Sequence, residues 1–119
     1  MREERPWGWY ETIEDGSDYR LKKIHLDPGQ RFSLQFHRSR SEHWVVIHGD
    51  GIVTLGHDEI PCKPGSSFTI GIEQRHRAQA GDDGLTFIEV QRGRCSERDI
   101  VRLEDDYGRS ENSILDYLI

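Results

Sequence analysis

Residues 29–49, GQRFSLQFHRSRSEHWVVIHG, determine the fold expected for this chain. Polar and apolar residues alternate from Phe32 to His37, as is typical of a β-strand, and strand residues two apart point to the same face. Gln35 and His37 are therefore predicted to project from one face. Glu42 follows a polar connection and opens a second strand-like run, HWVVIHG. The pattern predicts that an amide, an imidazole and a carboxylate meet inside a small β-barrel.

These three groups, with the imidazole of His76, form a candidate site for one divalent metal ion. Burying two imidazoles, an amide and a carboxylate without a cation would leave a costly polar cluster. The mixed nitrogen and oxygen donors suit iron, manganese, nickel or cobalt as well as zinc. The remaining histidines are interpreted as surface or hydrogen-bonded core residues: His25, His43, His48 and His57.

The 119 residues suffice for one domain with one core. We expect an N-terminal arm at 1–18, a barrel at about 19–93 and a C-terminal segment at 94–119. Short strand-like runs separated by Gly, Pro and Asp predict an all-β sandwich or barrel. Within it, 48–51 is predicted as a hairpin connection and 81–84 as a turn. The last ten residues, SENSILDYLI, are predicted as a short helix.

Composition narrows the class of function. The formal net charge of −6 argues against nucleic acid as a partner, but placed arginines can still bind an anionic small molecule. The sequence has no run of about 18 apolar residues and no signal-peptide centre, which predicts a cytoplasmic protein without a membrane span. Cys62 and Cys95 lack CxxC spacing and are expected to be free thiols.

The spacing Gly29-x5-Gln35-x-His37-x4-Glu42-x6-Gly49 resembles the first cupin motif. Glutamine at the first ligand position, in LQFH before SEHWVV, is similar to the type II phosphomannose isomerases. Four segments match that family in order, namely RPWGWYE (5–11), the motif itself, IEVQRG (88–93) and DIVRLEDDYGR (99–109). The resemblance implies a jelly-roll double-sheet barrel covering the whole chain.

In that family the matching domain is usually the C-terminal part of a bifunctional mannose-6-phosphate isomerase/mannose-1-phosphate guanylyltransferase. The resemblance therefore implies a zinc-dependent interconversion of mannose 6-phosphate and fructose 6-phosphate through an enediol. We expect a stand-alone isomerase domain without nucleotidyl transfer, because the chain has no glycine-rich nucleotide loop. A homodimer is expected, since small cupins leave sheet edges for a partner to cover.

Four further residues are assigned roles beside the metal. Arg40 matches the arginine of the family motif and is predicted to be catalytic; without the resemblance it would be interpreted as an exposed loop charge. Glu89 is the candidate base, with an outward-facing or ion-paired carboxylate as the alternative. Arg77, which matches the residue after the family's metal-binding histidine, and Arg109 are the candidate substrate-binding residues. Arg109 or Arg102 is the candidate for the phosphate, and Lys22 and Lys23 are further basic candidates on an early strand.

The sequence departs from the family pattern in two places. In the second motif, Gly71 stands where proline is usual and Glu73 where glycine is usual. Arg38 and Ser39 replace two neighbouring histidines of the family. These changes leave open a metal-binding and sugar-binding or regulatory cupin without turnover, and an iron dioxygenase is the third reading.

Overall fold

A computed structural model describes residues 2–109. This range contains nine strands, which all pair in the antiparallel sense, and no helix. The all-β prediction is confirmed, and the predicted C-terminal helix lies outside the described residues. The strands are β1 Arg2–Arg5, β2 Gly8–Asp15, β3 Tyr19–Leu26, β4 Leu34–Phe36, β5 Arg40–Leu55, β6 Asp58–Cys62, β7 Ser67–Ile70, β8 His76–Gly93 and β9 Val101–Glu104.

Two long strands, β5 and β8, belong to both layers of the barrel. In the first layer, residues 40–49 of β5 pair with residues 85–93 of β8. This layer is extended by β3, β2 and β1 on one side and by β7 on the other. In the second layer, residues 51–55 of β5 pair with residues 76–80 of β8, and β6 and the short strands β4 and β9 complete it. The segment predicted as an N-terminal arm thus contributes two strands to the first layer.

The predicted hairpin connection at 48–51 is wrong, because β5 continues through it. Thirteen residues separate Glu42 from Leu55, which amounts to about 43 Å in a straight strand. Leu55 nevertheless pairs with His76, whose side chain contacts Glu42. The β5–β8 ribbon must therefore fold back on itself, and its register shifts at Val46/His48 and at Gly49/Gly51 mark the bend.

The predicted turn at 81–84 is likewise absorbed into a strand. Gly49 pairs with Leu85 and Gly51 with Ala80, so four residues of β8 lie opposite the single residue Asp50. Such an excess of residues on one strand increases its bend. The two glycine-rich segments therefore lie opposite each other at the fold of the ribbon.

Alternation along the strands separates an aromatic core from the surface. On β5, Glu42, Trp44 and Val46 are buried, while the residues between them are exposed. Trp44 packs on Phe87 with ring centroids 4.5 Å apart and meets Phe32 edge to face. Cys62 and Cys95 are free, as expected. Within the described range, no helix has the length and apolar character needed to cross a membrane.

Candidate metal centre and the cavity around it

Three predicted ligands converge at one end of the folded ribbon. Glu42 lies near the start of β5, His76 begins β8, and His37 directly follows β4. Glu42 Oε2 lies 3.3 Å from His37 Nε2, and Glu42 Oε1 lies 3.6 Å from His76 Nε2. One donor atom from each residue fits within a 4.8 Å group, and all three side chains are buried. The fold therefore places side by side three residues that the sequence predicted to share one site.

In both histidines, Nδ1 is hydrogen-bonded to the backbone and Nε2 is the nitrogen that faces Glu42. His37 Nδ1 lies 2.6 Å from Asp99 O, and His76 Nδ1 lies 2.8 Å from Gln74 O. A carbonyl oxygen only accepts hydrogen bonds, so each Nδ1 carries the proton and each Nε2 presents a lone pair. Both lone pairs face the oxygens of Glu42.

Acceptors that face each other at these distances are stabilised by positive charge between them. Burial lowers the pKa of His37 to about 3, and the Arg40 guanidinium acts in the same direction. Burial also lowers the pKa of His76 to about 4. Both imidazoles are thus neutral at pH 7, as metal ligands must be. The donor set therefore fits a divalent ion with two nitrogen ligands and a carboxylate.

Gln35, the predicted fourth ligand, lines the same cavity. It lies on β4 opposite His76 and is 9 % exposed. Its Nε2 donates to Ser33 O at 3.3 Å, which leaves Oε1 as the atom available to a metal ion. The structure thus places all four predicted ligands around one cavity.

Arg40 is buried beside the metal triad and is not an exposed loop charge. Its Nε donates to Glu42 Oε2 at 3.0 Å, and its Nη2 lies 3.3 Å from His37 Nε2. Its Nη1 donates to Ser96 O at 2.9 Å. The guanidinium therefore supplies positive charge directly at the ligand atoms.

Glu89 faces the cavity from the middle of β8 and is only 4 % exposed. Trp44 Nε1 lies 3.2 Å from Glu42 Oε1 and 3.4 Å from Glu89 Oε1. Gln91 Nε2 donates to the other Glu89 oxygen at 3.4 Å. Burial raises the pKa of Glu89 to about 8, with the Glu42 carboxylate acting in the same direction. The side chain has the environment expected of a group that exchanges protons near neutral pH.

The cavity has a volume of about 100 Å³ and concentrates positive charge. Arg109 lines it and is held by a bidentate pair with Asp105, at 3.0 and 3.2 Å. Among the described residues, five basic side chains and three glutamates line this cavity, in a chain with a net charge of −6. The basic ones are Arg5, Lys22, Arg40, Arg102 and Arg109, and the glutamates are Glu42, Glu89 and Glu97.

The structure does not bring Arg77 to this cavity. Arg77 lines a separate groove, where its Nε donates to Phe32 O at 2.9 Å and its Nη1 pairs with Glu104 at 3.2 Å. The reason is strand geometry: His76 and Arg77 are consecutive, so their side chains point to opposite faces. The predicted substrate contact is therefore not supported, and Arg77 ties β8 to β9.

In the loop before His76, the backbone keeps the positive φ that glycine favours, although Glu73 stands where the family usually has glycine. Glu73, which replaces that glycine, has φ 64°. A non-glycine residue in this region costs roughly 1–2 kcal/mol. Its N–H donates to His37 O at 2.7 Å, and Gly71 N–H donates to Gln74 Oε1 at 2.8 Å. The loop thus supports both histidines despite the substitution.

Sequence reasoning missed several residues of the cavity. Trp44, which lines the cavity, lies two positions from Glu42, and Gln91, which donates to Glu89, lies two positions from that residue. The period of a strand was therefore a usable signal. Glu97 and Tyr10 also line the cavity. Nothing in their local sequence indicates this, because they come from a loop and from the N-terminal strands.

The fold matches solved structures of cupin domains. An RmlC-like cupin from Shewanella frigidimarina superposes with a TM-score of 0.75 at 19 % identity, covering 82 % of this chain and 87 % of that one. The chain therefore has the cupin fold, which confirms the fold predicted from the first motif.

The family follows from sequence comparison. The model of the family described as mannose-6-phosphate isomerase C-terminal matches residues 1–105, and the chain belongs to this family. It is 42 % identical over 108 residues to the xanthan biosynthesis protein XanB of Xanthomonas campestris, covering 89 % of this chain and 23 % of that protein. It is 39 % identical over 107 residues to the mannose-1-phosphate guanylyltransferase ManC of Salmonella typhimurium, covering 88 % and 22 %. The chain thus spans less than a quarter of these relatives.

Proposed function

We propose that this chain is a metal-dependent aldose–ketose isomerase that interconverts mannose 6-phosphate and fructose 6-phosphate. One observation carries the proposal: a candidate base lies beside a candidate metal ligand. The indole N–H of Trp44 contacts carboxylate oxygens of both Glu42 and Glu89, at 3.2 and 3.4 Å. A sugar bound at the ion would therefore lie within reach of a proton acceptor.

In this proposal Gln35, His37, Glu42 and His76 hold the metal ion, and zinc is the proposed metal. When bound, such an ion polarises a carbonyl or hydroxyl oxygen and stabilises the charge that develops there. The carbonyls of Asp99 and Gln74 fix the two imidazoles, so the ligands are oriented before substrate arrives.

Glu89 is proposed to transfer the proton. As a carboxylate it takes the proton from C2 of the open-chain aldose and delivers it to C1, while the hydroxyl hydrogen moves from O2 to O1. A pKa of about 8 leaves a minority of carboxylate at pH 7 but makes that carboxylate a stronger base. The hydrogen bond from Gln91 Nε2 orients the side chain for this transfer.

The charge of the cavity supports an anionic substrate. Arg40 is positioned to stabilise negative charge on the enediol oxygens, because its guanidinium already contacts Glu42 and His37. Arg109 at the same cavity is proposed to contact the anionic substrate. The family description names mannose-6-phosphate isomerase, and the relative ManC is named for a mannose phosphate. Both names agree with a phosphorylated mannose as substrate.

A second candidate function is a metal-binding and sugar-binding cupin without turnover. The cavity volume favours it, because about 100 Å³ is well below the roughly 300–1,000 Å³ of typical ligand pockets. Turnover requires the cavity to widen at its mouth when a hexose phosphate enters. The non-catalytic alternative requires no such change.

The test is a coupled assay for fructose 6-phosphate formed from mannose 6-phosphate by the zinc-loaded protein. We expect turnover that is lost on chelation and restored by zinc, with exchange of the C2 hydrogen detected by NMR in D2O. Glu89→Gln is expected to retain zinc and lose both signals. Zinc-loaded protein that binds mannose 6-phosphate without turnover or exchange would support the non-catalytic alternative. The homodimer and the lack of nucleic-acid binding stay predictions.

A further inference from the structure

A second charged cluster lies in the same cavity around Tyr10. Lys22, on β3, is 4 % exposed, and its Nζ lies 4.0 Å from the centroid of the Tyr10 ring. Arg5 Nη2 donates to the Tyr10 hydroxyl at 3.2 Å. Two cations thus converge on one aromatic side chain, and none of these three residues belongs to the metal site.

The buried ammonium of Lys22 requires a counter-charge, because an unpaired buried charge is costly. Glu97 supplies it, with Oε1 2.5 Å from Lys22 Nζ and 3.0 Å from Arg20 Nη1. Burial raises the pKa of Glu97, but the Lys22 ammonium outweighs this and holds the pKa below its usual range. The cluster is therefore an occupied anion site, with a carboxylate as the anion.

The two sides of this ion pair differ in how firmly they are held. Lys22 sits in a strand that pairs on both edges, with β2 and with β8. Glu97 belongs to the segment between β8 and β9, where no strand is formed, and its side chain is 50 % exposed. Loss of Glu97 alone would leave the buried Lys22 ammonium unpaired, which is costly. Another anion that takes its place removes that cost, so the half-exposed carboxylate can leave by exchange, whereas the ammonium stays in its strand.

The position of Lys22 relative to the candidate metal ligands suits a sugar phosphate. Lys22 pairs in register with Glu89 on β8, and Glu89 pairs with Trp44 on β5. Two strand spacings, about 10 Å, therefore separate the backbone at Lys22 from the backbone at Trp44, which contacts Glu42. The carbon chain of a hexose phosphate spans a distance of this order, with its reacting carbons at one end and its phosphate at the other.

We propose that Lys22 and Arg5 form the phosphate subsite of the cavity, and that Glu97 occupies this subsite until the phosphate displaces it. The inference rests on the proposed function for the identity of the substrate and adds which residues recognise its phosphate. Phosphate, with more charge and more acceptor oxygens than a carboxylate, engages both cations at once.

The test uses inorganic phosphate as the probe and calorimetry on the whole chain. Lys22→Met is expected to weaken phosphate binding by about tenfold or more, the loss of a charge-assisted hydrogen bond. Lys23→Met is the matched control, since the next residue of β3 is not part of this cavity, and it should bind as wild type does. Glu97→Gln, which removes the competing charge, should bind phosphate several-fold more tightly.

The outcomes separate this inference from the proposed function. Phosphate binding that is equal in wild type and Lys22→Met, or weaker in Glu97→Gln, overturns the subsite; Glu97→Gln decides the matter if Lys22→Met does not fold. An active isomerase whose KM for mannose 6-phosphate is unchanged by Lys22→Met also overturns it and leaves the proposed function intact. Lys22-dependent phosphate binding without isomerase turnover supports the subsite and defeats the isomerase.

Discussion

His76 and Arg77 are neighbours on β8, but they line two regions in which charged groups have different surroundings. His76 lines the cavity of the candidate metal centre, and Arg77 lines the separate groove. On the cavity side, Glu42 is 3 % exposed and its oxygens face two neutral imidazoles and a guanidinium. On the groove side, Arg77 pairs with Glu104, whose side chain is 64 % exposed. A carboxylate in water needs no special partner, whereas a buried one does. Burial therefore distinguishes a functional carboxylate from a structural one more reliably than residue type.

The largest expected difference between the two regions is in metal binding. Glu42→Gln removes the anionic ligand, so zinc affinity should fall by about 100-fold or more, since even partners of ligands cost 10–100-fold. Glu104→Gln is the matched control and should bind zinc as wild type does. Calorimetric titration with elemental analysis measures both. If Glu42→Gln still bound one zinc ion per chain with high affinity, the metal centre would lie elsewhere.

The second difference is between the two arginines. Arg40→Met should lower isomerase turnover by about 10²–10³-fold with zinc retained, because it removes a charge placed at the reacting oxygens. Arg77→Met should keep its turnover and lose about 1–3 kcal/mol in free energy of unfolding, because Phe32 O loses its donor. The coupled assay and urea denaturation measure these effects. A folded Arg77→Met protein without turnover would restore the substrate role predicted from the sequence.

The smallest expected effect is a pair of opposite pH dependences, measured with a chelator present. The folded-state pKa of Glu89 is raised from 4.5 to about 8. Between these values the unfolded chain loses its proton while the folded protein keeps it, so stability falls as pH rises. The hydrogen bond from Arg31, at 2.7 Å, lowers the pKa of Asp106, so this pair stabilises at neutral pH and its contribution is lost in acid.

Two variants separate these contributions in denaturation curves at several pH values. Relative to wild type, Glu89→Gln should gain stability steadily from pH 4.5 to pH 8. Asp106→Asn should lose about 0–1 kcal/mol at neutral pH and nothing in acid. Identical pH profiles for wild type and Glu89→Gln would show that Glu89 is not held in its neutral form.

The sequence predicted the site where strand period and motif agree. Gln35, His37, Glu42 and His76 line one cavity, and the inward position of Glu89 follows from its place in a strand. The same period could have excluded Arg77, because the residue after an inward histidine points outward. The resemblance to a family motif outweighed that argument in the prediction.

Other features depend on partners that local sequence does not contain. Gly-Asp-Gly at 49–51 signals a hairpin or a bulged bend equally well, and only its pairing with β8 decides between them. Lys22 and Glu97 are 75 residues apart, so no spacing rule joins them. Long-range pairing therefore accounts for most of what the sequence did not reveal.

The bend of the β5–β8 ribbon sets the separation between Glu42 and His76, two of the candidate metal ligands. A side chain at Gly49 would place its Cβ 2.0 Å from Gly84 O, and one at Gly51 would place it 2.1 Å from Gln79 O. Either would push the strands apart at the bend and change the separation of Glu42 from His76, seven or more residues away. The spacing of the candidate metal ligands therefore depends on two glycines that do not line the cavity.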